Sequence, residues 1–269
     1  MSNYIKYLIL AVIQGISEIL PISSSAHLLL VSERMDLSTD LSLSIFLHLG
    51  SALAVIFFFR KRIWQLIKGF FMFIFRNGGK EEFKEVMMLL IASIPAGIAG
   101  FFLEDYIEKY LTKDYFIGMF LVFTGLILIF ISKLKNNKRK LGELKYRNSF
   151  FIGLFQMIGI LPGISRSGIT YTGAKLNKLE SSDASEFIFL MFLPVSLGSA
   201  ALELVKFSTT SEPVNFDILP LLMAIVVVVI LTYLSLIIFL KLIKKDKMYY
   251  FSYYLIPLGL AVMIMNLYK

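Results

Sequence analysis

The residues best suited to chemistry stand in two polar clusters, each inside an otherwise apolar stretch. In the first cluster, Gln14 and Glu18 are spaced i, i+4, which places their side chains on one face of a helix. Pro21 then breaks that helix, because proline lacks an amide hydrogen and clashes with the preceding turn. A carboxylate in such apolar surroundings is costly, so Glu18 is a candidate for acid–base chemistry.

Hydroxyl groups and an imidazole follow this break. Ser23 and Ser24 stand where the next helix begins, so either one is placed to cap the unpaired amides of its first turn. His27 lies one turn farther along, at i+3 from Ser24. A carboxylate, two hydroxyls, an imidazole and the positive end of a helix are therefore expected to converge here. His48, in a later apolar stretch, is equally well explained as an interhelical hydrogen-bonding residue.

The second cluster repeats this design and adds an arginine. Gln156 precedes it, and the cluster itself is Pro162-Gly-Ile-Ser165-Arg166-Ser167-Gly-Ile-Thr170. Backbone amides at a helix start and an arginine fork both donate hydrogen bonds to phosphate oxygens. Two helix N-termini beside Arg166 therefore predict a site for a dense oxyanion, most naturally phosphate.

Composition predicts what carries these clusters. The 269 residues are 57% hydrophobic and 17% charged, with a mean hydropathy of +0.76, whereas soluble domains have about 45–50% apolar and about 25% charged residues. This excludes a soluble domain and disorder, and the long apolar runs exclude a porin-type barrel. The chain has no cysteine, which excludes disulfides and thiolate chemistry. We expect one all-α polytopic membrane domain over residues 1–269.

Six apolar stretches have roughly the 17–25 residues that a helix needs to cross the hydrocarbon. They are 41–59, 86–103, 115–132, 186–205, 218–240 and 250–267. Two more, 4–31 and 148–174, contain the polar clusters in their middles. The stretch 64–75 is too short to cross and predicts an interfacial or half-span helix.

Loop charge predicts the orientation. Eighteen of the 27 Lys and Arg residues lie in the connections 60–85, 133–147 and 241–247. Four Lys or Arg against nine acids lie in the connections 32–40, 104–114 and 206–217. The basic group is therefore cytoplasmic, and the net charge of +8 reflects this bias rather than nucleic-acid binding. Six crossings fit the alternation only if both broken segments are re-entrant helix pairs.

The two halves are predicted to be an inverted repeat. Both broken segments have a glutamine, a proline break and a Ser-x-Ser pair in the same order, and Leu-Gly-Ser-Ala follows each of them. The halves align with an offset of about 141–148 residues, repeat one covering about 1–133 and repeat two about 148–269. Each half has three spans, an odd number, so the second half is upside down. Such repeats place their site at the repeat interface near the midplane.

At these residues the sequence resembles the bacitracin-resistance family, the undecaprenyl-diphosphate phosphatases. The family motif Glu/Gln-xxx-Glu, followed by Pro-x-Ser-Ser-x-x-His, is matched from Gln14 to His27. The motif Pro-Gly-x-Ser-Arg-Ser-x-x-Thr is matched from Pro162 to Thr170, and the likeness covers essentially the whole chain. Gln14 stands where some members have a glutamate, which leaves Glu18 as the expected acid–base residue.

The resemblance implies an enzyme of the bacterial plasma membrane with its active site opening outward. It implies hydrolysis of undecaprenyl diphosphate to the monophosphate and inorganic phosphate, which recycles the lipid carrier for cell-wall synthesis and gives bacitracin resistance. It also implies dependence on a divalent cation, Mg²⁺ or Ca²⁺. The expected partners are this substrate and membrane lipid, with no nucleic acid, and a homo-oligomer is left open.

Roles for single residues follow from the resemblance together with the spacing. The expected catalytic residues are Glu18, Ser24, His27 and Arg166, and the expected substrate-binding residues are Gln14, Ser23, Ser165, Ser167 and Thr170. Ser24 is the expected nucleophile, a phosphorylated His27 is an alternative, and direct attack by water is a third. Glu18 acts as general acid or base, or as a metal ligand. Arg166 holds the transferring phosphoryl group.

Two other functions are weighed against this one. A secondary transporter or a flippase for a lipid phosphate suits an inverted repeat equally well. It ranks second because a serine, a histidine and a carboxylate beside an arginine are more than a substrate clamp needs. A phosphatase of the acid-phosphatase-like lipid type needs a histidine after its Ser-Arg motif, and no histidine follows Arg166.

Overall fold

A computed structural model describes residues 3–35, 41–134, 138–209 and 217–267. Within these ranges the chain is helical, and its only β-type pairing is an isolated bridge between Arg139 and Leu179. Among the described residues, five helices are long and apolar enough to cross a membrane, and a sixth span is obtained when two successive helices, Leu43–Phe58 and Arg60–Arg76, are counted together. The protein is therefore an all-α polytopic membrane protein, as the composition predicts.

The helices follow the predicted stretches. The first half contains α1 (Asn3–Ser17), α2 (Ser24–Arg34), α3 (Leu41–Phe58), α4 (Arg60–Arg76), α5 (Lys80–Leu111) and α6 (Asp114–Ser132). The second half contains α7 (Tyr146–Ile158), α8 (Arg166–Leu176), α9 (Ser181–Thr209), α10 (Ile218–Lys244) and α11 (Ser252–Leu267), with 3-10 turns at Leu141–Glu143 and Met248–Phe251. The two broken segments are the pairs α1–α2 and α7–α8.

Helix α4 accounts for the short apolar stretch 64–75. It is bent by 79° from α3, and the two helices together are the sixth candidate span. Arg62 in its first turn donates to Glu85 of α5 at 2.5 Å and to Glu186 of α9 at 2.7 Å. This shared arginine ties three helices together on the side where the basic connections lie.

Small residues allow the principal helix pairs to approach closely. A Cβ atom on Gly118 of α6 would lie 2.6 Å from the carbonyl oxygen of Gly259 of α11, and the reverse contact would be 2.5 Å. Gly15 of α1 lies equally close to α10, and Gly153 of α7 to α5. Such contacts are how helices pack in a membrane, where no hydrophobic effect drives them together.

Corresponding helices of the two halves pack against a helix of the opposite half. Helix α1 packs on α10 while α7 packs on α5, and α3 packs on α10 while α9 packs on α5. The pairs α3–α9 and α6–α11 contact each other directly. This arrangement is the pattern that an inverted repeat produces, and the repeat with its boundaries stays a prediction.

Candidate active site at two helix breaks

The two helix breaks lie against each other. The hydroxyl oxygen of Ser23, just before α2, accepts a hydrogen bond from the amide of Gly163 in the second break at 3.1 Å. Gly163 has a φ of 108°, which glycine adopts without strain. A Cβ atom at Gly163 would lie 2.7 Å from the carbonyl oxygen of Ile117, so α6 also approaches closely here. The contact between the breaks places both polar clusters in one region.

Equivalent serines cap α2 and α8, the helices that follow the two breaks. Ser23 accepts from the amide of Ala26 at 3.4 Å, and Ser165 accepts from the amide of Gly168 at 3.3 Å. The sequence left the first cap open between Ser23 and its neighbour, and the structure assigns it to Ser23. Each capping hydroxyl also lies close to that of the serine two positions on, at 3.2 Å and 3.1 Å respectively.

A threonine that the sequence analysis did not identify stabilises the second break by two hydrogen bonds. Thr124 of α6 donates its hydroxyl to the carbonyl oxygen of Gly163 at 3.0 Å. The same hydroxyl accepts from the amide of Ser165 at 3.2 Å. The available signal was a polar residue in the apolar span 115–132.

Glu18 is the centre of a buried hydrogen-bonded cluster. Its Oε2 accepts from Ser24 Oγ at 2.6 Å and from Gln14 Nε2 at 3.0 Å. The Glu18 side chain is 5% exposed, and Gln14 is fully buried. A hydroxyl that donates to a carboxylate is the arrangement in which the carboxylate can take its proton and activate it as a nucleophile.

His27 lies away from this carboxylate. Its Nδ1 donates to the carbonyl oxygen of Ser23 at 2.8 Å, so the neutral ring accepts at Nε2 from the hydroxyl of Tyr254 at 2.7 Å. The His27 and Tyr254 rings also stack, with their centroids 5.7 Å apart. The sequence predicted that His27 and Glu18 converge, and the structure does not bring them together. The His27 side chain instead contacts Tyr254 of α11. A catalytic role for His27 stays a prediction.

The imidazole that reaches Glu18 belongs to His48 of α3. Its Nδ1 accepts from Gln14 Nε2 at 3.0 Å and lies 3.6 Å from Glu18 Oε2. From the sequence, His48 is equally well explained as an interhelical hydrogen-bonding residue, because spacing along one helix does not say which other helix arrives beside it. The signal that could have found it is a histidine inside an apolar stretch.

Arg166 and the second cluster border Glu18 from the other segment. The Arg166 guanidinium lies over the Phe192 ring, 5.6 Å from its centroid. A cavity of about 20 Å³ is lined by Glu18, Gln156, Arg166, Ser167 and Thr170 together with apolar residues of α9. Within the described ranges, Gln156 Nε2 and Thr170 Oγ1 are buried without a hydrogen-bond partner. Of the predicted phosphate-site residues, Arg166, Ser167 and Thr170 are thus brought together with the carboxylate.

A second, larger cavity of about 510 Å³ adjoins the Glu18 cluster. Its lining is mostly apolar and comes from helices α1, α2, α3, α5 and α9, with Ser25 and His48 among its polar residues. It also reaches Glu104 and Glu108, which belong to a connection predicted to face outward. A cavity with a mostly apolar lining beside a polar cluster suits a ligand with a lipid chain and a charged head.

The side chains around Glu18 do not form a metal site by themselves. In the part of the chain that the structure describes, no three His, Asp or Glu side chains converge. Glu18 Oε2 is already bonded to Gln14 and Ser24. Magnesium in proteins is usually held by one or two carboxylates plus substrate phosphates, and calcium by more oxygen ligands. Glu18 would thus be a single carboxylate ligand beside substrate phosphates, and its role as a metal ligand stays a prediction.

Comparison with known proteins identifies the family. The family model of the bacitracin resistance protein BacA matches residues 7–261, which include both breaks and His48. The chain belongs to this family. It is 35% identical over 250 residues to the undecaprenyl-diphosphatase of Methanococcus vannielii, covering 92% of this chain and 94% of the relative. It is 36% identical to undecaprenyl-diphosphatase 2 of Bacillus thuringiensis and undecaprenyl-diphosphatase 1 of Bacillus licheniformis, over 97% of each chain. The resemblance drawn from the two motifs is confirmed.

Proposed function

We propose that this BacA-family protein is an integral-membrane phosphatase that hydrolyses undecaprenyl diphosphate to undecaprenyl phosphate and inorganic phosphate. The observation that carries the proposal is the 2.6 Å hydrogen bond from Ser24 to Glu18, beside Arg166 at two helix breaks. The relatives named undecaprenyl-diphosphatase support the same substrate. The reaction recycles the lipid carrier for cell-wall synthesis and gives bacitracin resistance.

The substrate is expected to lie across the two cavities. The cavity of about 510 Å³ takes the first part of the prenyl chain, and the rest of the chain extends into the surrounding membrane lipid. The diphosphate then reaches the breaks from the side of Glu104 and Glu108. Because loop charge places that side outward, the site opens to the outer face of the bacterial plasma membrane.

Each polar residue has a distinct task in this chemistry. Ser24 Oγ attacks the terminal phosphorus while its proton passes to Glu18, and the bond to the bridging oxygen breaks. Arg166 and the first amides of α8 hold the transferring phosphoryl group and its developing charge, with Ser165, Ser167 and Thr170 around it. Water then attacks the phosphoserine, and the proton on Glu18 returns to Ser24. A water molecule activated by Glu18 could attack directly with the same residues.

We propose that activity depends on a divalent cation, Mg²⁺ or Ca²⁺, which would be held mainly by phosphate oxygens of the substrate, with Glu18 as the nearest carboxylate. When bound, such an ion neutralises phosphate charge and orients the phosphoryl group. The absence of a converging ligand set among the described residues favours substrate oxygens as its main ligands. Activity is therefore expected to need added cation and to be lost with a chelator.

Phosphate release from undecaprenyl diphosphate by purified protein in detergent tests the proposal. Without any gradient a transporter releases no phosphate, whereas the proposed enzyme does. Ser24→Ala should lower turnover by at least about a thousandfold. Ser17→Ala is a matched control, because the Ser17 hydroxyl lies next to Glu18 in sequence but donates to its own helix at Ile13, at 2.5 Å. No release by the wild type with added Mg²⁺ or Ca²⁺ would refute the enzyme and favour the flippase.

A further inference from the structure

A histidine of α3 lies beside the buried pair Gln14 and Glu18. The amide of Gln14 cannot carry a proton from one group to another. His48 Nδ1 lies 3.0 Å from Gln14 Nε2 and 3.6 Å from Glu18 Oε2. An imidazole exchanges protons near neutral pH. The titratable group missing at position 14 is thus present across one hydrogen bond, on another helix.

The location of His48 suits a group that exchanges protons with the substrate. Its side chain is 31% exposed, while that of Glu18 is 5% exposed. His48 lines the large cavity in which the substrate is proposed to lie, and Glu18 lies behind it. A proton that leaves the buried carboxylate towards this cavity therefore meets the imidazole first.

Helix α3 holds this imidazole in place. Ser51, one turn after His48, shares a buried hydrogen bond of 3.1 Å with Thr232 of α10. Gly50 lies so close to α10 that a Cβ atom there would be 3.1 Å from Val228 Cγ1. A catalytic side chain works best when the element that carries it is fixed by such contacts.

We propose that His48 is a catalytic residue of the phosphatase, performing a proton transfer that the amide at position 14 cannot perform. This proposal rests on the proposed function. When Ser24 Oγ bonds to the terminal phosphorus, the bridging P–O bond breaks and the Ser24 proton goes to Glu18. A protonated His48 gives its proton to the oxygen of the departing lipid phosphate. The neutral ring then takes a proton from the water that displaces Ser24 Oγ from phosphorus, and Glu18 returns its proton to Ser24.

The charges around His48 come from three directions. Glu18 lies behind it at 3.6 Å, and Arg166 borders the small cavity on the far side of Glu18. Glu104 and Glu108 of α5 line the same large cavity as His48. The charged groups that share a contact or a cavity with His48 are therefore mostly carboxylates.

The test separates proton transfer from simple hydrogen bonding. In His48→Asn the amide oxygen takes the place of Nδ1, so Gln14 keeps an acceptor while the titratable group is lost. This variant should lower kcat for undecaprenyl diphosphate by about 10²–10⁴-fold and leave KM nearly unchanged. The double variant Gln14→Glu/His48→Asn moves the titratable group to α1 and should recover kcat to within about tenfold of the wild type.

The control is Ser149→Ala, which removes a buried hydrogen bond from α7 to the Met88 carbonyl of α5 and should lower the unfolding midpoint with little change in kcat. A His48→Asn enzyme with kcat within about threefold of the wild type would overturn the proposal, because acid–base partners contribute far more. So would a loss of kcat that the double variant does not recover, since His48 would then have only a structural role. A wild type that releases no phosphate at all would instead refute the proposed function, and with it this inference.

Discussion

The hydrogen bond between the two helix breaks can be measured by comparing two equivalent serines. Ser23 and Ser165 are both buried, and both cap a helix by accepting from the amide three residues on, at 3.4 Å and 3.3 Å. The Ser23 hydroxyl also accepts from the buried amide of Gly163 at 3.1 Å. Among the described residues, no such bond from the other break reaches the Ser165 hydroxyl. Alanine at either position therefore removes a cap, and alanine at Ser23 removes the bridge as well.

The size of each effect follows from these contacts. Loss of a cap costs about 1 kcal/mol of unfolding free energy, which is the expected cost of Ser165→Ala. Ser23→Ala has the same cost and also leaves the buried N–H of Gly163 unpaired, which adds about 1–3 kcal/mol. The expected total for Ser23→Ala is therefore about 2–4 kcal/mol.

Unfolding in mixed detergent and SDS micelles, followed by far-ultraviolet circular dichroism, gives both free energies under the same conditions. The informative quantity is the difference between the two variants, because uncertainty in the cap contribution then largely cancels. Equal destabilisation by Ser23→Ala and Ser165→Ala, or a larger effect at Ser165, would refute the reasoning. It would mean that the Gly163 amide finds another partner or that the breaks do not hold each other.

Three further predictions concern the phosphate clamp, the orientation and the packing. Arg166→Lys keeps the charge but loses the bidentate fork, so turnover should fall by about 10²-fold or more without unfolding, and near wild-type turnover would exclude the clamp. In this cysteine-free chain, Lys113→Cys should react with an impermeant maleimide added outside intact cells, whereas Lys245→Cys should react only after the membrane is permeabilised. The opposite labelling would show that the predicted orientation is wrong. Gly118→Leu should lower the unfolding midpoint strongly because its side chain would overlap α11 at Gly259, and an unchanged midpoint would contradict that packing.

Much of the architecture was predictable from the sequence because the bilayer leaves few alternatives. Apolar length and loop charge locate the spans, and a proline among serines in an apolar stretch indicates a helix break. The i, i+4 spacing of Gln14 and Glu18 correctly predicted their contact, because that geometry is set within one helix. The bend of 79° between α3 and α4 also agrees with the predicted short helix at 64–75.

The neighbours of each polar group were not predictable in the same way. Spacing along α2 placed His27 one turn from Ser24, but which side of α2 faces the carboxylate depends on how α2 packs against α11 and α3. The structure has His27 on Tyr254 and brings His48 to Glu18 instead. Contacts of this kind join residues that are far apart in the chain, and periodicity within one helix carries no information about them.

The energetics of the breaks explain why the site needs both halves of the chain. A broken helix inside a bilayer exposes backbone groups that cost several kcal/mol each when unpaired. Here the first half supplies their partners, since Ser23 accepts from the Gly163 amide while Thr124 accepts from the Ser165 amide and donates to the Gly163 carbonyl. The first-turn amides of α8 that lack intrahelical partners remain for a phosphate. The second half therefore closes its break only with hydroxyl groups of the first half, so stability and phosphate recognition depend on the same contacts between them.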